Sequence, residues 1–161
     1  MIAYLENCDG IREDQLGGFF VGWANPPKPA AHLRLLRGSD HVVLALDTDA
    51  DRVVGFVTAV TDGVLTAYIP YLEVLPDWQD RGIGAELTRR MLERLKALYA
   101  VDLLCDPALE PFYARFRMLP VHGMMLRRYE WQSGDATPRT ATPRAKASLL
   151  ARLLGRLWPK R

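Results

Sequence analysis

The chain reads YIPYLEVLPDWQDRGIGAELTRRMLERLKAL over residues 68–98, and this stretch decides the fold. The apolar run over residues 64–75 predicts a buried strand, and Pro76 ends it because proline has no amide donor for a sheet ladder. A short polar turn with Gly82 and Gly84 follows the strand. The next residues predict an amphipathic helix, since four apolar side chains recur at helical spacing: Leu87, Met91, Leu95 and Leu98.

A strand, a glycine turn and a helix in this order are one way to build an anion site. Glycine lets a ligand approach the backbone closely, and the N–H groups of the first helical turn have no partner inside the helix. The stretch therefore predicts a site for a phosphate or a pyrophosphate. The simpler interpretation is a plain connection between a strand and a helix that carries two glycines.

Two common phosphate motifs do not match this turn. A P-loop requires a lysine directly after its last glycine, and Ala85 follows Gly84 here. The dinucleotide fingerprint requires a third glycine where this chain has Leu87, and the unit lies in mid-chain without a second matching half.

A third pattern is shared with a known family. The sequence QDRGIG over residues 79–84, preceded by VLP at residues 74–76, resembles motif A of the GCN5-related N-acetyltransferases, the GNAT superfamily. Residues 106–113, DPALEPFY, resemble the family segment in which an Asn is followed seven residues later by a Tyr, with Asp106 in place of the Asn. The resemblance covers residues 40–131 clearly and the first 40 residues by general layout.

The resemblance implies an α/β (α+β) fold with a mixed, mostly antiparallel central sheet, a splayed parallel strand pair and flanking helices. It implies acetyl-CoA as co-substrate, with the turn backbone around the pyrophosphate and the preceding strand paired with the pantetheine arm. These roles fall on Leu72, Val74, Gln79, Asp80, Arg81, Gly82, Ile83, Gly84 and Ala85. Asp106, in the place of the family Asn, is a further candidate for the cofactor site and is also expected to cap the helix that follows it. Where the family usually has a glycine before an aromatic residue, this chain has Arg117-Met118, which predicts a changed helix end.

Two side chains are candidates for the proton transfers. Glu73 lies in the strand predicted to be central, where a partly desolvated carboxylate has a raised pKa and suits a base that takes a proton from an ammonium. The alternative is a carboxylate paired with an arginine at the sheet edge, and Tyr68 is another strand position that could assist. The resemblance makes Tyr113 the general acid for the departing thiolate, and the alternative is core packing with Phe112 and Phe116.

The resemblance predicts an N-acetyltransferase that transfers an acetyl group from acetyl-CoA to a primary amine by direct attack in a ternary complex. The acceptor is an unknown small molecule or peptide. Backbone N–H groups of the central strand would stabilise the oxyanion. A different class stays open: a non-catalytic acyl-CoA-binding sensor, or a partner-binding module, that kept the cleft and lost the chemistry.

The residues around the central stretch predict the rest of the domain. Three further strands are predicted, over residues 41–46, 52–61 and 101–105, and the last is parallel to the central strand. Residues 11–23 predict a roughly helical stripe, residues 30–37 a short helix, and residues 120–131 one or two closing strands. Four N-terminal side chains are either core or acceptor-pocket wall: Phe19, Phe20, Trp23 and His32.

The amino-acid composition restricts the class of protein to which this chain can belong. The 161 residues are 49% hydrophobic and 25% charged, which are globular values, and no apolar run is long enough to span a membrane. The first residues lack the features of a signal peptide, so we expect a cytoplasmic protein. The two cysteines suggest no disulfide framework, and the three histidines have no ligand-like spacing, so we expect no metal.

The C-terminal part differs from the rest in charge. Residues 132–161 carry seven Lys or Arg and one Asp, a net charge of +6, so residues 1–131 carry −4 of the total of +2. We predict an acyl-CoA N-acyltransferase domain over residues 1–131, a linker over 132–144 and a basic amphipathic helix over 145–161. The simplest interpretation is that this helix packs on its own domain or a neighbour, and membrane-surface contact and a homodimer are alternatives. We expect no nucleic-acid partner, because no basic platform with interleaved aromatic residues is visible.

Overall fold

The computed structural model of the chain describes residues 1–135. The strands are β1 (Ile2–Leu5), β2 (His41–Asp47), β3 (Arg52–Thr61), β4 (Thr66–Val74) and β5 (Ala100–Asp102). The α-helices are α1 (Pro29–Gly38), α2 (Ile83–Arg94) and α3 (Glu110–Ala114). Short 3-10 helices lie at Glu13–Leu16, Pro76–Trp78, Pro107–Leu109 and Tyr129–Trp131.

The strands form one sheet in the order β1–β2–β3–β4–β5, so each strand lies beside its neighbour in sequence. Each neighbouring pair among the first four strands is antiparallel, and β4 and β5 are parallel. α2 connects the parallel pair, as an order of strand, helix and strand predicts. The predicted mixed, mostly antiparallel sheet with one parallel pair and flanking helices is confirmed.

The parallel strands separate soon after they begin. Their ladder contains three residue pairs, and the last one joins Tyr68 to Asp102. β4 continues along β3 as far as Val74. The edge of residues 69–74 that faces away from β3 therefore has no strand beside it within the described part of the chain. An opening is left between the carboxyl ends of β4 and β5.

α2 packs directly on the sheet because Gly55 of β3 leaves room for it. A Cβ at Gly55 would lie 3.0 Å from Leu87 Cδ1 and 3.2 Å from the Glu73 carbonyl oxygen. The helix ends at Arg94, so Leu98 lies beyond it. The other three apolar residues that predict the helix are buried: Leu87, Met91 and Leu95.

Residues 11–38 cover the opposite face of the sheet, and we call them the N-terminal layer. The helix predicted over residues 11–23 is wrong in extent, because only the 3-10 helix Glu13–Leu16 forms there. A Gly-Gly pair follows it and disfavours further helix. Phe19 and Phe20 pack instead on Phe56 of β3, with ring centroids 5.1 and 5.9 Å away. The predicted short helix of this layer is α1.

The turn that follows α3 contains a left-handed residue that is not glycine. Arg117 has φ +63°, and its N–H donates to the Ala114 carbonyl (2.9 Å). The arginine thus takes a conformation that glycine adopts more easily, at the steric cost of its Cβ. The predicted change at this helix end is a left-handed arginine in the turn after α3.

The closing strands predicted over residues 120–131 do not form; Tyr129–Trp131 is a 3-10 helix and the rest is irregular. Pro120 has no N–H for a ladder. The Leu104 side chain lies so close to the backbone of Gly123 that a Cβ there would be 2.4 Å from Leu104 Cδ2. We call residues 119–131 the strap. Met124 is 100% exposed, so the apolar character that suggested a strand is not used in the core.

The chain after the strap is held against the N-terminal layer. The Asn25 N–H donates to Gln132 Oε1 (3.0 Å), and Arg34 Nη2 donates to the Gly134 carbonyl (2.8 Å). The linker predicted over residues 132–144 therefore begins with docked residues, and its remainder and the helix predicted over residues 145–161 lie outside the described residues. No helix within residues 1–135 is long and apolar enough to cross a membrane.

Candidate functional site

The turn after β4 presents unpaired backbone donors. α2 begins at Ile83, and its N-cap residue Gly82 has φ +79°. The first hydrogen bond of the helix runs from the Glu86 N–H to the Gly82 carbonyl (3.0 Å). The N–H groups of residues 83–85 donate to no acceptor within residues 1–135. They carry the partial positive charge of a helix N-terminus, which attracts anions.

A cavity of about 570 Å³ opens at this turn, and we call it the turn cavity. It lies between the end of β4, the start of α2 and α3. Eight of the ten residues predicted to bind the cofactor line it: Leu72, Val74, Gln79, Asp80, Gly82, Ile83, Gly84 and Ala85. Arg81 does not, because its guanidinium lies over the Trp78 ring, 4.9 Å from the centroid. Asp106 lines a different cavity, described below.

The main chain of β4 is directed toward the open edge of the sheet. The Leu75 N–H donates to the Val54 carbonyl of β3 (2.9 Å). Because backbone groups alternate sides along a strand, those of Leu72 and Val74 point away from β3. Gln79 Nε2 donates to the Val74 carbonyl (3.0 Å), which ties the turn to the strand. The N–H donors of this edge stay available to a ligand.

A second cavity, of about 720 Å³, lies in the opening between the splayed strands, and we call it the wedge cavity. It is enclosed by residues 69–73 of β4, residues 103–106 after β5, the N-terminal layer and the strap. Leu72, Glu73, Leu109 and Tyr113 line both cavities. The two cavities therefore meet at the two side chains predicted to move protons.

Glu73 is held by backbone amides and not by an arginine. Its Oε1 accepts hydrogen bonds from the N–H groups of Phe20 (2.6 Å) and Val21 (3.2 Å). Burial raises the pKa of Glu73, and these two N–H groups oppose the rise. Oε2 accepts no hydrogen bond from the described residues, so one carboxylate oxygen is open to a ligand. Phe20 reaches Glu73 with φ +61°, a strained conformation for a bulky residue.

Tyr113 keeps its proton over the whole neutral range. Burial, with a smaller effect from Cys105, raises the pKa of Tyr113 to about 12. Its ring contacts Phe112 edge to face, with centroids 4.9 Å apart, and no described residue hydrogen-bonds its hydroxyl. Burial and the nearby acids Glu110 and Asp106 raise the pKa of Cys105, so this neighbour is a neutral thiol. The phenol therefore keeps its hydroxyl proton at a place where the two cavities meet.

The other predicted positions divide between wall and core. Phe20 and Trp23 line the wedge cavity, whereas Phe19 and His32 are buried behind them. Tyr68 stands at the last pair of the parallel ladder and lines neither cavity. Asp106 occupies the N-cap position of the 3-10 helix Pro107–Leu109, but its side chain makes no capping bond, so that expected role is wrong.

Three cavity residues carried no signal in the sequence. Arg115 lines the turn cavity, where its guanidinium lies 4.8 Å from the Phe112 ring centroid. Cys105 and Arg127 line the wedge cavity. Each reaches its cavity through tertiary packing, and no motif or spacing marks it. Within residues 1–135, no group of three or more His, Cys, Asp or Glu side chains could hold a metal ion.

Comparison with known proteins gives the class. The model of the acetyltransferase (GNAT) family matches residues 8–117, which is more than half of the chain. This region contains the turn cavity, the splayed strands, Glu73 and Tyr113. The chain belongs to the GNAT family of acetyltransferases, and the predicted family is confirmed.

Individual relatives agree with this assignment. A candidate acetyltransferase from Deinococcus radiodurans R1 is 45% identical with a TM-score of 0.81, over 84% of this chain and 94% of that one. The uncharacterized N-acetyltransferase ycf52 of Porphyra purpurea is 26% identical over 118 residues, 70% of this chain and 68% of that protein. The chloroplastic GCN5-related N-acetyltransferase 1 of Arabidopsis thaliana is 29% identical over 108 residues, 65% of this chain and 55% of that protein.

Proposed function

We propose that this protein transfers an acetyl group from acetyl-CoA to a primary amine while both substrates are bound. The observation that carries this proposal is the meeting of the two cavities at Glu73 and Tyr113. One cavity has unpaired amide donors for a pyrophosphate, and the other has space for an acceptor. A carboxylate and a phenol at the junction supply a proton acceptor and a proton donor.

The turn cavity suits the coenzyme in shape as well as in charge. A Cβ at Gly84 would lie 3.7 Å from Val74 Cγ2 and 3.8 Å from Phe112 Cζ, which are ordinary contacts. The protein itself therefore does not require glycine at residue 84. The missing side chain instead leaves space in the turn cavity, beside the unpaired N–H groups. We assign the pyrophosphate to the N–H groups of residues 83–85 and the pantetheine arm to the open edge of β4.

We assign the proton transfers and the stabilisation of the oxyanion to separate groups of the protein. The coenzyme, when bound, supplies an activated acetyl thioester. Glu73 Oε2 accepts the amine proton, directly or through water, and its burial raises its basicity toward that task. The open N–H donors of β4 hydrogen-bond the carbonyl oxygen as negative charge develops there. The Tyr113 hydroxyl donates its proton to the departing sulfur.

One observation favours a second candidate, a non-catalytic acyl-CoA-binding sensor or partner-binding module. Glu73 already has a structural task, because its Oε1 holds the N–H groups of Phe20 and Val21 in a strained loop. A carboxylate retained for that purpose alone would leave the cofactor cleft intact and the chemistry absent.

The test combines coenzyme binding with turnover. Calorimetry on the purified chain measures acetyl-CoA affinity, and release of free thiol with a panel of amines measures catalysis. We expect Tyr113→Phe to lower kcat by about 100-fold or more while the affinity for acetyl-CoA is unchanged. The matched control is Tyr99→Phe, since Tyr99 is 89% exposed and lines neither the turn cavity nor the wedge cavity.

Three outcomes distinguish the candidates. Failure to bind acetyl-CoA refutes both the enzyme and the sensor. Binding without thiol release for any amine favours the sensor. Turnover that is equal in the Tyr113→Phe and Tyr99→Phe variants refutes Tyr113 as the proton donor and leaves the rest of the proposal standing.

A further inference from the structure

The wedge cavity contains charges of both signs. Glu73 and Asp106 line it from the ends of β4 and β5, and Arg127 lines it from the strap. No described residue forms an ion pair or a hydrogen bond with the Arg127 guanidinium. A lone carboxylate oxygen of Glu73 and an unpaired guanidinium therefore border the same space.

The strap that carries Arg127 is attached at both ends. On one side the Leu104 side chain packs against the backbone of Gly123. On the other side the Asn25 N–H donates to Gln132 Oε1 (3.0 Å). Arg127 lies between these two attachments, beside a cavity that reaches from β4 to the N-terminal layer. These two attachments fix the path of the strap, and this path puts Arg127 at the cavity wall.

An aromatic wall stands in the same cavity. The rings of Phe20, Trp23 and Tyr71 lie with centroids 5.1 to 6.4 Å apart, and all three residues line the wedge cavity. Such rings contact the carbon skeleton of a ligand and offer no charge of their own. Charged groups within this cavity are its acids and Arg127, with His122 as a further polar side chain at its wall.

We propose that the acceptor is an amine that also carries an anionic oxygen group, a carboxylate or a phosphate, and that Arg127 binds this group. This inference rests on the proposed function, because it names the substrate class of the same site. A guanidinium presents its donors in a planar fork that matches carboxylate and phosphate oxygens. The amine end lies toward Glu73, and the aromatic wall contacts the carbon atoms between the two ends.

The experiment uses the full chain with saturating acetyl-CoA and pairs of acceptors that differ in the anion. Butylamine and 4-aminobutyrate test a carboxylate, and glucosamine and glucosamine 6-phosphate test a phosphate. We expect the anionic member of at least one pair to have a kcat/KM about tenfold or more above the neutral member. Which pair shows the preference identifies the anion.

Two matched variants assign the preference to one side chain. Arg127→Gln should remove the preference, because it should lower kcat/KM about tenfold more for the anionic amine than for the neutral amine. Arg128→Gln is the control, because Arg128 is the next residue, is exposed and lines neither cavity. Both variants should bind acetyl-CoA as the parent chain does. A general loss of net positive charge would affect the two variants equally.

Binding of the same pairs to protein saturated with coenzyme A, measured by calorimetry, gives a readout that needs no turnover. We expect the anionic amine to bind about tenfold more tightly than its neutral partner, and to lose this advantage in Arg127→Gln alone. Equal affinities within both pairs, or equal effects of Arg127→Gln and Arg128→Gln, overturn the inference. A missing affinity for acetyl-CoA or missing turnover refutes the proposed function instead, so the two failures are distinguishable.

Discussion

His32 makes the stability of this fold depend on pH in a way that one substitution should remove. The side chain is 1% exposed, and its ring lies 4.5 to 5.1 Å from the ring centroids of Phe19, Phe20 and Phe56. Neither ring nitrogen makes a hydrogen bond with a described residue. Burial lowers the pKa of His32 to about 4. The Leu16 carbonyl, which lies near the ring without the geometry of a hydrogen bond, opposes this only in part. The folded protein therefore holds a neutral imidazole among aromatic rings.

The sign of the effect follows from the two pKa values. An unfolded histidine has a pKa of about 6.5, so below this pH the unfolded chain binds a proton that folded His32 does not bind. The free energy of unfolding therefore falls as the pH drops from about 6.5 to about 4, and His32 contributes no such loss above pH 6.5. Since one pKa unit corresponds to about 1.4 kcal/mol, we expect a loss of about 2 kcal/mol at pH 5 and about 3 kcal/mol in total.

The perturbation is His32→Leu, which keeps most of the volume and deletes two unpaired polar atoms. At pH 7.5 we expect the free energy of unfolding to be equal to or above that of the parent chain. Urea unfolding at pH 7.5, 6 and 5 should show the difference between variant and parent growing by about 2 kcal/mol over this range. His122→Gln, which changes an exposed histidine, should leave the pH dependence unaltered. A His32→Leu variant with the same pH dependence as the parent would refute the reasoning.

Three further substitutions test the helix end, the turn and the carboxylate. Arg117→Gly should raise the free energy of unfolding by about 1 kcal/mol in urea titrations, because glycine adopts φ +63° without the clash of a Cβ. Gly84→Ala should leave the melting temperature unchanged or higher, since its methyl group meets only ordinary contacts, yet weaken coenzyme A binding in calorimetry by about tenfold. Glu73→Gln should keep the fold, because an amide oxygen can still accept from the N–H groups of Phe20 and Val21, while thiol release falls by about 100-fold or more.

Each of these predictions has its own control. Ala114→Gly puts a glycine inside α3 and should lower stability, in contrast to Arg117→Gly. Gly38→Ala adds a methyl group in α1, where nothing lies within 4 Å, and should not change coenzyme affinity. Glu73→Ala removes the acceptor of two backbone N–H groups and should lower stability as well as turnover. If Glu73→Gln releases thiol as fast as the parent chain, Glu73 is a positioning residue alone.

The sequence predicted those parts of the fold that depend on one face of one element. The spacing of Leu87, Met91 and Leu95 identifies α2 because this helix buries a single stripe on the sheet. β2 and β3 were predictable from their own residues as well, since each is an apolar run that is buried along most of its length. Their boundaries moved by a few residues, as the shortening of the central strand to Thr66–Val74 illustrates.

The parts of the fold that were predicted wrongly depend on contacts between residues that are far apart in the sequence. The stripe over residues 11–23 is buried as far as Phe20. Phe20 reaches the sheet in a left-handed conformation that is held by Glu73, more than fifty residues away. The strap has the composition of a strand and finds no strand to pair with in the described structure. In the site, Glu73 was predicted to meet an arginine if it was not a base, and backbone amides took that place.

The short ladder between β4 and β5 affects how this surface can evolve. At Leu72 and Val74, contact with a ligand arm would be made by peptide groups, which every residue except proline provides in full. Pro70, on the same edge, already has no N–H. Exchanges of one side chain for another at Leu72 or Val74 would leave those groups in place. This part of the cleft can therefore diverge in sequence while its ligand stays the same, and a mutation to proline is the change that selection should remove first.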